Sequence, residues 1–540
     1  MSNTIVRGTM LLTGATFLSK FLGMIYVIPF FALVGNEGGA LYNFAYVPYN
    51  IFLSISTVGV PLAVSKFVSK YNSLEDYETG YRIFKSGMVL MAVTGFLAFI
   101  GLYASSGWIA ALSIPNEPAK AEEAAFVIRM VSFALLVIPA MSIVRGFFQG
   151  YQSMGPTAVS QIVEQIVRIA FVLSGAFIVI KIYNGSIATA VGMATFAALI
   201  GALASCVVLW MYWRKRKAAI LSNVNNQRFT YDIPMKKLFI ELLSYAGPFI
   251  IVGLATSLYQ LVDQFTFERS MTAVGLGEIW EITFSTINVY GHKIILIPVT
   301  IATGLSLAIL PALTKSFTTN NKPVLFQQIN QAFQIIIVLV LPASIGLAAL
   351  ADVAYGSLFT LENIDITAPL IVLYAPVSLL FAFFTVSAAV LQGINQQRFT
   401  VVSLAAGLLA KILLNIQLIH MFGAKGAIFG TALAVGIAVL LNLWRIHVSI
   451  QFSYKQTAKR ALLVLIFSTV MFAVIYLLKW IFGYFLPYSE SKFAALTMLI
   501  IGVIVGGAVY LWLAYASTLL ERVLGNRVRV LNRIFHRRRS

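Results

Sequence analysis

The sequence has little charge, four histidines and one cysteine. Only 11% of its 540 residues are Asp, Glu, Lys or Arg, against 59% hydrophobic residues. The single cysteine, Cys206, excludes an intrachain disulfide and a CxxC metal site, and it sits in an apolar run as a small core residue. No HExxH and no cysteine/histidine cluster is present, so no metal is expected. No GxxxxGK[ST] is present either, which excludes a built-in ATPase. The stretch Gly304 to Ala308 grazes a nucleophile elbow, but it lies inside an apolar run and not on a strand-to-helix turn. These absences argue against an enzyme and against a cofactor. Acids are half as frequent as bases, 19 against 38, for a net charge of +19. In a soluble chain that balance would suggest nucleic acid. Here the charge sits mainly in loops and the tail, so no nucleic acid is expected.

What is present is hydrocarbon. The mean hydropathy of +0.88 belongs to a polytopic membrane protein. Long unbroken apolar runs point to helices and exclude a barrel, whose strands would alternate. The runs read as fourteen spans, near 8–34, 41–69, 84–108, 124–148, 156–181, 186–213, 238–263, 285–313, 329–354, 367–393, 398–422, 425–447, 459–485 and 492–520. The second and eighth end in basic, amphipathic extensions. The first run is too long for a cleaved signal and lacks a small-residue cleavage site, so it is expected to stay.

Connections after even-numbered spans are basic: Lys66, Lys70, Arg82 and Lys85, then Arg214 to Lys217 with Lys236 and Lys237, Lys315 and Lys322, Arg398, and Arg445, Lys455, Lys459 and Arg460. Connections after odd-numbered spans carry acids: Glu37, Glu117, Glu122, Glu123, Glu268, Glu278, Glu281, Glu362 and Asp365. The positive-inside rule then puts both termini in the cytoplasm. The tail from Glu521 carries Arg522, Arg527, Arg529, Arg533 and Arg537 to Arg539, which suit either an anionic inner leaflet or a plain stop-transfer flank.

An internal repeat sets the expected architecture. Phe148-Gln149-Gly150, Thr157 to Ser160 and Arg168 recur as Leu391-Gln392-Gly393, Thr400 to Ser403 and Lys411, at an offset of 243 residues. Pro61 near Lys66 similarly matches Pro311 near Lys315. An even number of spans separates the copies, so they share orientation, as in parallel-repeat transporters. The expectation is an all-α integral membrane protein with 14 transmembrane helices: two six-helix lobes related by a parallel repeat, plus two extra C-terminal helices. The boundaries are residues 1–222, 223–450 and 451–520, with a basic cytoplasmic tail at 521–540. Prolines 29, 48, 61, 139, 248, 298, 311, 342 and 376 fall in the spans and permit kinks.

Charges inside the spans are the candidate site. Lys20 lies roughly 18 Å along the first span from Gly8. A lysine near the midplane costs ~2.5–3.5 kcal/mol on insertion scales, so it faces a wet cavity or a partner. Lys20, Arg168 and Lys411 sit near mid-depth, Lys293 and Arg129 in the outer half, and Arg145 near the cytoplasmic end. Acids are fewer: Glu164 and Asp263, with Glu241 and Asp352 near span ends. Glu164 and Arg168, four apart, suit either a local ion pair or a functional role. An excess of cations facing one cavity attracts an anion. Lysine and arginine both bind phosphate oxygens, so a pyrophosphate fits.

Several stretches carry a family resemblance along nearly the whole chain: Leu18-Ser19-Lys20-Phe21-Leu22-Gly23, Val144 to Gly150, Met154 to Gln161, and Tyr290-Gly291-His292-Lys293 before Pro298. The chain resembles the MurJ-type lipid II flippases of the multidrug/oligosaccharidyl-lipid/polysaccharide exporter superfamily, in the Gram-positive YtgP/SpoVB-like branch. The resemblance implies fourteen spans in two lobes plus a pair. It implies transport of undecaprenyl-pyrophosphate-linked peptidoglycan precursor, lipid II, from inner to outer leaflet of the bacterial plasma membrane. It also implies a central cationic cavity. Membrane lipids and wall-synthesis enzymes are the other partners expected.

Ser19, Lys20 and Gly23 match the family's span-one Ser-basic-x-x-Gly motif, and Lys293 its span-eight basic residue. The family's second span-one arginine falls at Tyr26, its acidic partner before the span-eight base at His292, and a following glutamate at Leu296. Arg129, Arg145 or Arg168 then supplies the missing charge. Some relatives bind sodium in the second lobe; Asp263 and Asn415 are the candidates for ion coupling, with Glu164, while Lys411 offers a fixed charge in its place. The alternatives are a flippase for another lipid-linked polysaccharide or a spore-cortex precursor, a drug/cation antiporter, and a non-transporting scaffold for wall synthesis.

Overall fold

The computed structural model describes residues 2–57, 59–225 and 253–524. The start of the expected seventh span, with Glu241, and the tail beyond Leu524 lie outside the described residues. Among the described residues every regular element is helical. In chain order they are α1 Ser2–Ile25, α2 Val27–Thr57, α3 Val60–Ser73, α4 Tyr77–Ser113, α5 Pro118–Ser132, α6 Ile138–Gly150, α7 Gly155–Phe177, α8 Ile187–Asn225, α9 Ala255–Ala273 and α10 Trp280–Ser285. There follow α11 Gly291–Thr318, α12 Lys322–Ala349, α13 Ala351–Leu358, α14 Ile364–Tyr374, α15 Val377–Gly393, α16 Gln397–Phe422, α17 Ala424–Ile450, α18 Lys455–Gly483, α19 Lys492–Ala516 and α20 Leu519–Leu524. Short 3₁₀ and π turns join some of them.

Eleven described segments are long and apolar enough to cross a bilayer, and the pair Gly14–Ile25 with Val27–Thr57, bent by 41°, makes a twelfth. The expected run 41–69 is not one helix. Gly59 takes φ +69° and Pro61 opens α3, so the chain turns before the run ends. Glycine tolerates that left-handed angle, and proline's missing N–H is harmless in a first turn. The expected 124–148 is likewise divided, by a 3₁₀ turn at Phe133–Leu136 and a fresh start before Pro139. Pro48 lies in α2 beyond a kink at Gly35, which takes φ +63°, while Pro298, Pro311 and Pro342 stay inside continuous helices.

The chain divides into two compact units, Met1–Thr272 and Ala273–Ser540. In the N-terminal unit α7 lies along α8, and α6 packs on α3. The α6–α3 contact is set by glycine: a Cβ on Gly146 would overlap the Pro61 carbonyl, and one on Gly150 would come within 2.7 Å of Val68 Cβ. Around it Val64, Phe67, Ile143 and Phe147 form a buried core. Gly146→Leu should therefore force the two helices apart. Overpacking of this kind costs ~1–3 kcal/mol or more, read as a lowered thermal midpoint of the purified protein. An unchanged midpoint would show that the contact yields freely.

In the C-terminal unit α16 lies along α17, α15 packs on α11, and the last long pair, α18 and α19, packs on α12 and α13. Its core includes Val338, Leu350, Val464, Met471 and Met498, and the Tyr510 hydroxyl donates to the Val338 carbonyl at 2.7 Å.

The sequence repeat reappears in the backbone. The turn after α6 places Gln152 at φ +55° with Ser153 N–H donating to Phe148 O at 3.0 Å. The turn after α15 places Asn395 at φ +58° with Gln396 N–H donating to Leu391 O at 2.7 Å. These pairs stand at the same 243-residue offset as the sequence match. The turns that lead into α4 and α12 also correspond: Asp76 and Asn321 cap them by accepting from Thr79 N at 3.0 Å and Val324 N at 3.3 Å. A side-chain oxygen there satisfies a backbone donor that the helix start leaves open.

Candidate functional site

Helix α7 carries the polar stripe of the N-terminal unit. Ser160, Glu164 and Arg168 stand at successive i+4 positions, so they share one face. Arg145 comes from α6. Its Nη2 meets Glu164 Oε2 at 2.7 Å and also donates to Ser205 Oγ at 2.8 Å, while its Nε donates to Ser160 Oγ at 3.0 Å. Of the two readings open for Glu164 and Arg168, the local pair gives way to a pair between helices. The guanidinium of Arg145 reaches the carboxylate from α6 and is held there by two hydroxyls, which fixes its fork.

Arg168, one turn on, turns to α2. It donates to the Tyr46 hydroxyl and stands 5.2 Å from the Tyr46 ring centroid. Tyr42 stacks on Tyr46 at 4.2 Å, and the Tyr26 and Tyr42 hydroxyls are 2.7 Å apart. Tyr26, where the family's second arginine would fall, therefore joins a tyrosine group that Arg168 meets through Tyr46. Its contacts among the described residues are to neutral rings and hydroxyls, so this arginine keeps its net charge, whereas that of Arg145 is cancelled. Sequence reasoning missed this group. The signal was there: Tyr42, Tyr46 and Tyr49 recur at helical spacing.

Helix α1, with Ser19 half-buried, packs against α7: Thr16 Oγ1 donates to Gln161 Oε1 at 3.3 Å, and a Cβ on Gly23 would lie 3.3 Å from Gln165 Nε2. Lys20 falls between Thr16 and Gly23 in that helix; its side chain lies outside the described residues. Arg129 is exposed. Its Nε donates to Ser106 Oγ at 2.9 Å, and it borders a cavity of about 570 Å³ with Glu122. It is not brought to the α7 stripe. Asp263 is buried on α9, in the same unit.

In the C-terminal unit Lys293 is half-buried in the first turn of α11, just after a π-helical turn over Thr286–Tyr290. Such turns are frequent at functional sites. A Cβ on Gly291 would collide with Ile371 and with the Thr286 carbonyl, so the residue before His292 has to be glycine. His292 Nδ1 lies 2.7 Å from the Tyr374 hydroxyl, and the two rings stack. Lys411 is fully buried on α16, and its Nζ donates to Thr431 Oγ1 on α17 at 2.7 Å. Asn415, one turn along, is also fully buried. Lys479 of α18, another charge the sequence reading passed over, grips Asp352 at 2.7 Å.

An apolar groove of about 420 Å³ opens on the same unit. Pro298, Val338, Pro342, Met471, Val503 and Leu511 line it, among others, and none of the described residues lining it is charged.

The sequence profile of a family described as polysaccharide biosynthesis protein matches residues 5–317. The chain is 45% identical over 533 residues to the lipid II flippase MurJ of Bacillus subtilis strain 168, covering 98% of each chain. Among solved structures it is similar to a lipid II flippase MurJ in an inward closed conformation, with a TM-score of 0.66, 20% identity, and 95% and 99% of the two chains covered. An inward-facing multidrug resistance MATE transporter of the MOP superfamily gives a TM-score of 0.63 at 14% identity, covering 79% of this chain and 94% of that one. The solved structures share the fold. By the profile and by near-complete alignment with the Bacillus flippase, this multi-pass membrane chain belongs to the MurJ family of polysaccharide biosynthesis proteins.

Proposed function

We propose that this protein is a lipid II flippase of the bacterial plasma membrane, a transporter and not an enzyme. It moves the undecaprenyl-pyrophosphate-linked precursor from inner to outer leaflet by alternating access through a cationic cavity, with both termini cytoplasmic. The observation that carries this is the 45% identity to the Bacillus subtilis flippase over 98% of both chains. Fourteen spans in two repeat-related lobes plus a pair remain the arrangement we favour.

Lys20 and Lys293 are the main contacts of the pyrophosphate. Arg168, whose charge is not cancelled by an acid among the described residues, adds to them, with Ser19 beside Lys20. Arg145 is a positioning residue: paired with Glu164, it holds α6 to α7. Arg129 and Lys411 contribute to the positive field, and Asp263, Asn415 and Glu164 are the groups through which an ion could couple. The chain has no nucleotide motif, so the drive is the membrane potential, an ion gradient or removal of product. One charge moved through the full potential yields ~2.3 kcal/mol per 100 mV, enough to bias the cycle.

The apolar groove suits the polyprenyl tail, because a hydrocarbon chain loses no hydrogen bonds there. Gly507 lines it, and a Cβ on Gly507 would meet nothing within 4 Å. Gly507→Trp should fill the groove without disturbing the fold. Transport should fall while the thermal midpoint stays within a degree or two. Full activity with the groove filled would remove the tail from this site.

The reading as a whole is tested in cells depleted of their own lipid II flippase, by labelling lipid II on the outer leaflet after this gene is supplied. Restored exposure and growth support it. Correct membrane insertion without restored exposure points to another lipid-linked glycan, such as a wall polysaccharide or a spore-cortex precursor.

A further inference from the structure

A second basic site lies in the C-terminal unit, at the end where α12 and α18 begin. A cavity of about 550 Å³ is bordered there by Asn330 and Gln334 of α12, Gln456 and Arg460 of α18, and Arg522 of α20, with further glutamines around them. The volume falls in the range of small-ligand sites. None of the described residues lining it is acidic. The positive-inside rule assigns this end, which also carries Lys322, Lys455 and Lys459, to the cytoplasm.

The side chains form one directed chain of hydrogen bonds. Arg460 donates to Gln334 Oε1. A guanidinium has no acceptor, so the oxygen of that amide must face it. Gln334 Nε2 then donates to Asn330 Oδ1 at 2.7 Å, and Thr457 Oγ1 donates to the same oxygen at 2.9 Å. Asn330 Nδ2 donates in turn to Gln456 Oε1 at 2.6 Å. Each amide is thereby turned with its carbonyl toward the arginine. The last group in the chain is the Gln456 amide nitrogen, which can only donate. With the remaining N–H groups of Arg460 and those of Arg522, the cavity offers donors and positive charge.

We infer that this cavity binds a phosphate group. The unprotonated oxygens of a phosphate group only accept, and a tetrahedral anion takes more donors at once than a carboxylate does. Its source is the headgroup of an anionic inner-leaflet lipid or a soluble phosphate. Binding ties α20 to the start of α12 and α18. The inference is independent of the flippase reading, since it rests on no transported substrate.

The full-length protein is placed in nanodiscs of phosphatidylcholine, or of phosphatidylcholine with phosphatidylglycerol, and its thermal midpoint is followed as phosphatidylglycerol or inorganic phosphate is titrated. Arg522→Gln removes a charge, and Gln456→Glu turns the last donor into an acceptor with little change of shape. Arg398→Gln, an exposed basic residue outside the cavity, is the control. Phosphatidylglycerol should raise the midpoint, and both cavity variants should weaken its apparent affinity about fivefold or more, with the control unchanged. If inorganic phosphate in phosphatidylcholine discs gives the same variant-sensitive shift, the site holds and its ligand is soluble. No shift with either probe, or an equal loss in Arg398→Gln, would overturn the inference and leave only diffuse surface charge.

Discussion

Lys20→Ala is expected to abolish the rescue of flippase-depleted cells, with outer-leaflet lipid II at least ~30-fold below the wild-type rate. The figure follows from the ~2–5 kcal/mol lost when one partner of a desolvated charge pair is truncated, at 1.4 kcal/mol per decade. The substitution makes the first span more apolar, so insertion improves and a trafficking defect is not expected. Lys20→Arg keeps a cation that grips phosphate oxygens and should retain most of the activity. Lys293→Ala should behave as Lys20→Ala does, because both are assigned to the same pyrophosphate. Normal activity of Lys20→Ala would leave the flippase reading intact and remove the cationic site from span one. A scaffold that carries no substrate would tolerate loss of both lysines together.

The second large effect is on stability. Glu164→Leu leaves the Arg145 guanidinium inside the N-terminal unit without its carboxylate, with both side chains less than a fifth exposed. Removing one partner of a pair buried in this way costs ~3–5 kcal/mol. The double variant Arg145→Met/Glu164→Leu removes both charges and leaves two apolar side chains, and it should recover most of that loss. Denaturant midpoints of the purified single and double variants decide this. If the double variant is no more stable than Glu164→Leu alone, the serines matter more than the ion pair. Arg168→Met should fall outside this pattern: its partner is a neutral tyrosine, so no stranded acid results, and its effect should appear in transport before stability.

The contrast between Arg145 and Arg168 shows how far reading along the chain can go. Both arginines and Glu164 were legible as charges inside apolar runs, because hydropathy accumulates over a helix length and a charge inside it stands out. The 243-residue repeat was legible too, and it returned in the left-handed residues Gln152 and Asn395. The helix breaks at Gly59 and within 133–137 were harder to see, since an apolar run scores the same whether it is straight or turned.

The sequence by itself determined that this is a many-span helical membrane protein of the MurJ family, with a repeat and an excess of cations within its apolar runs. Those properties are carried by composition and by motifs a few residues long. Only the tertiary structure decided which partner each charge takes. Glu164 has Arg168 one turn away on its own helix, yet it pairs with Arg145 of α6, because a guanidinium braced by Ser160 and Ser205 reaches it from the side. The same holds for the amides of Gln334 and Asn330: their donor direction is imposed by Arg460, more than a hundred residues away in the chain. Hydrogen bonds and ion pairs act over about 3 Å in space, and that distance is set by packing between helices that the order of residues does not display.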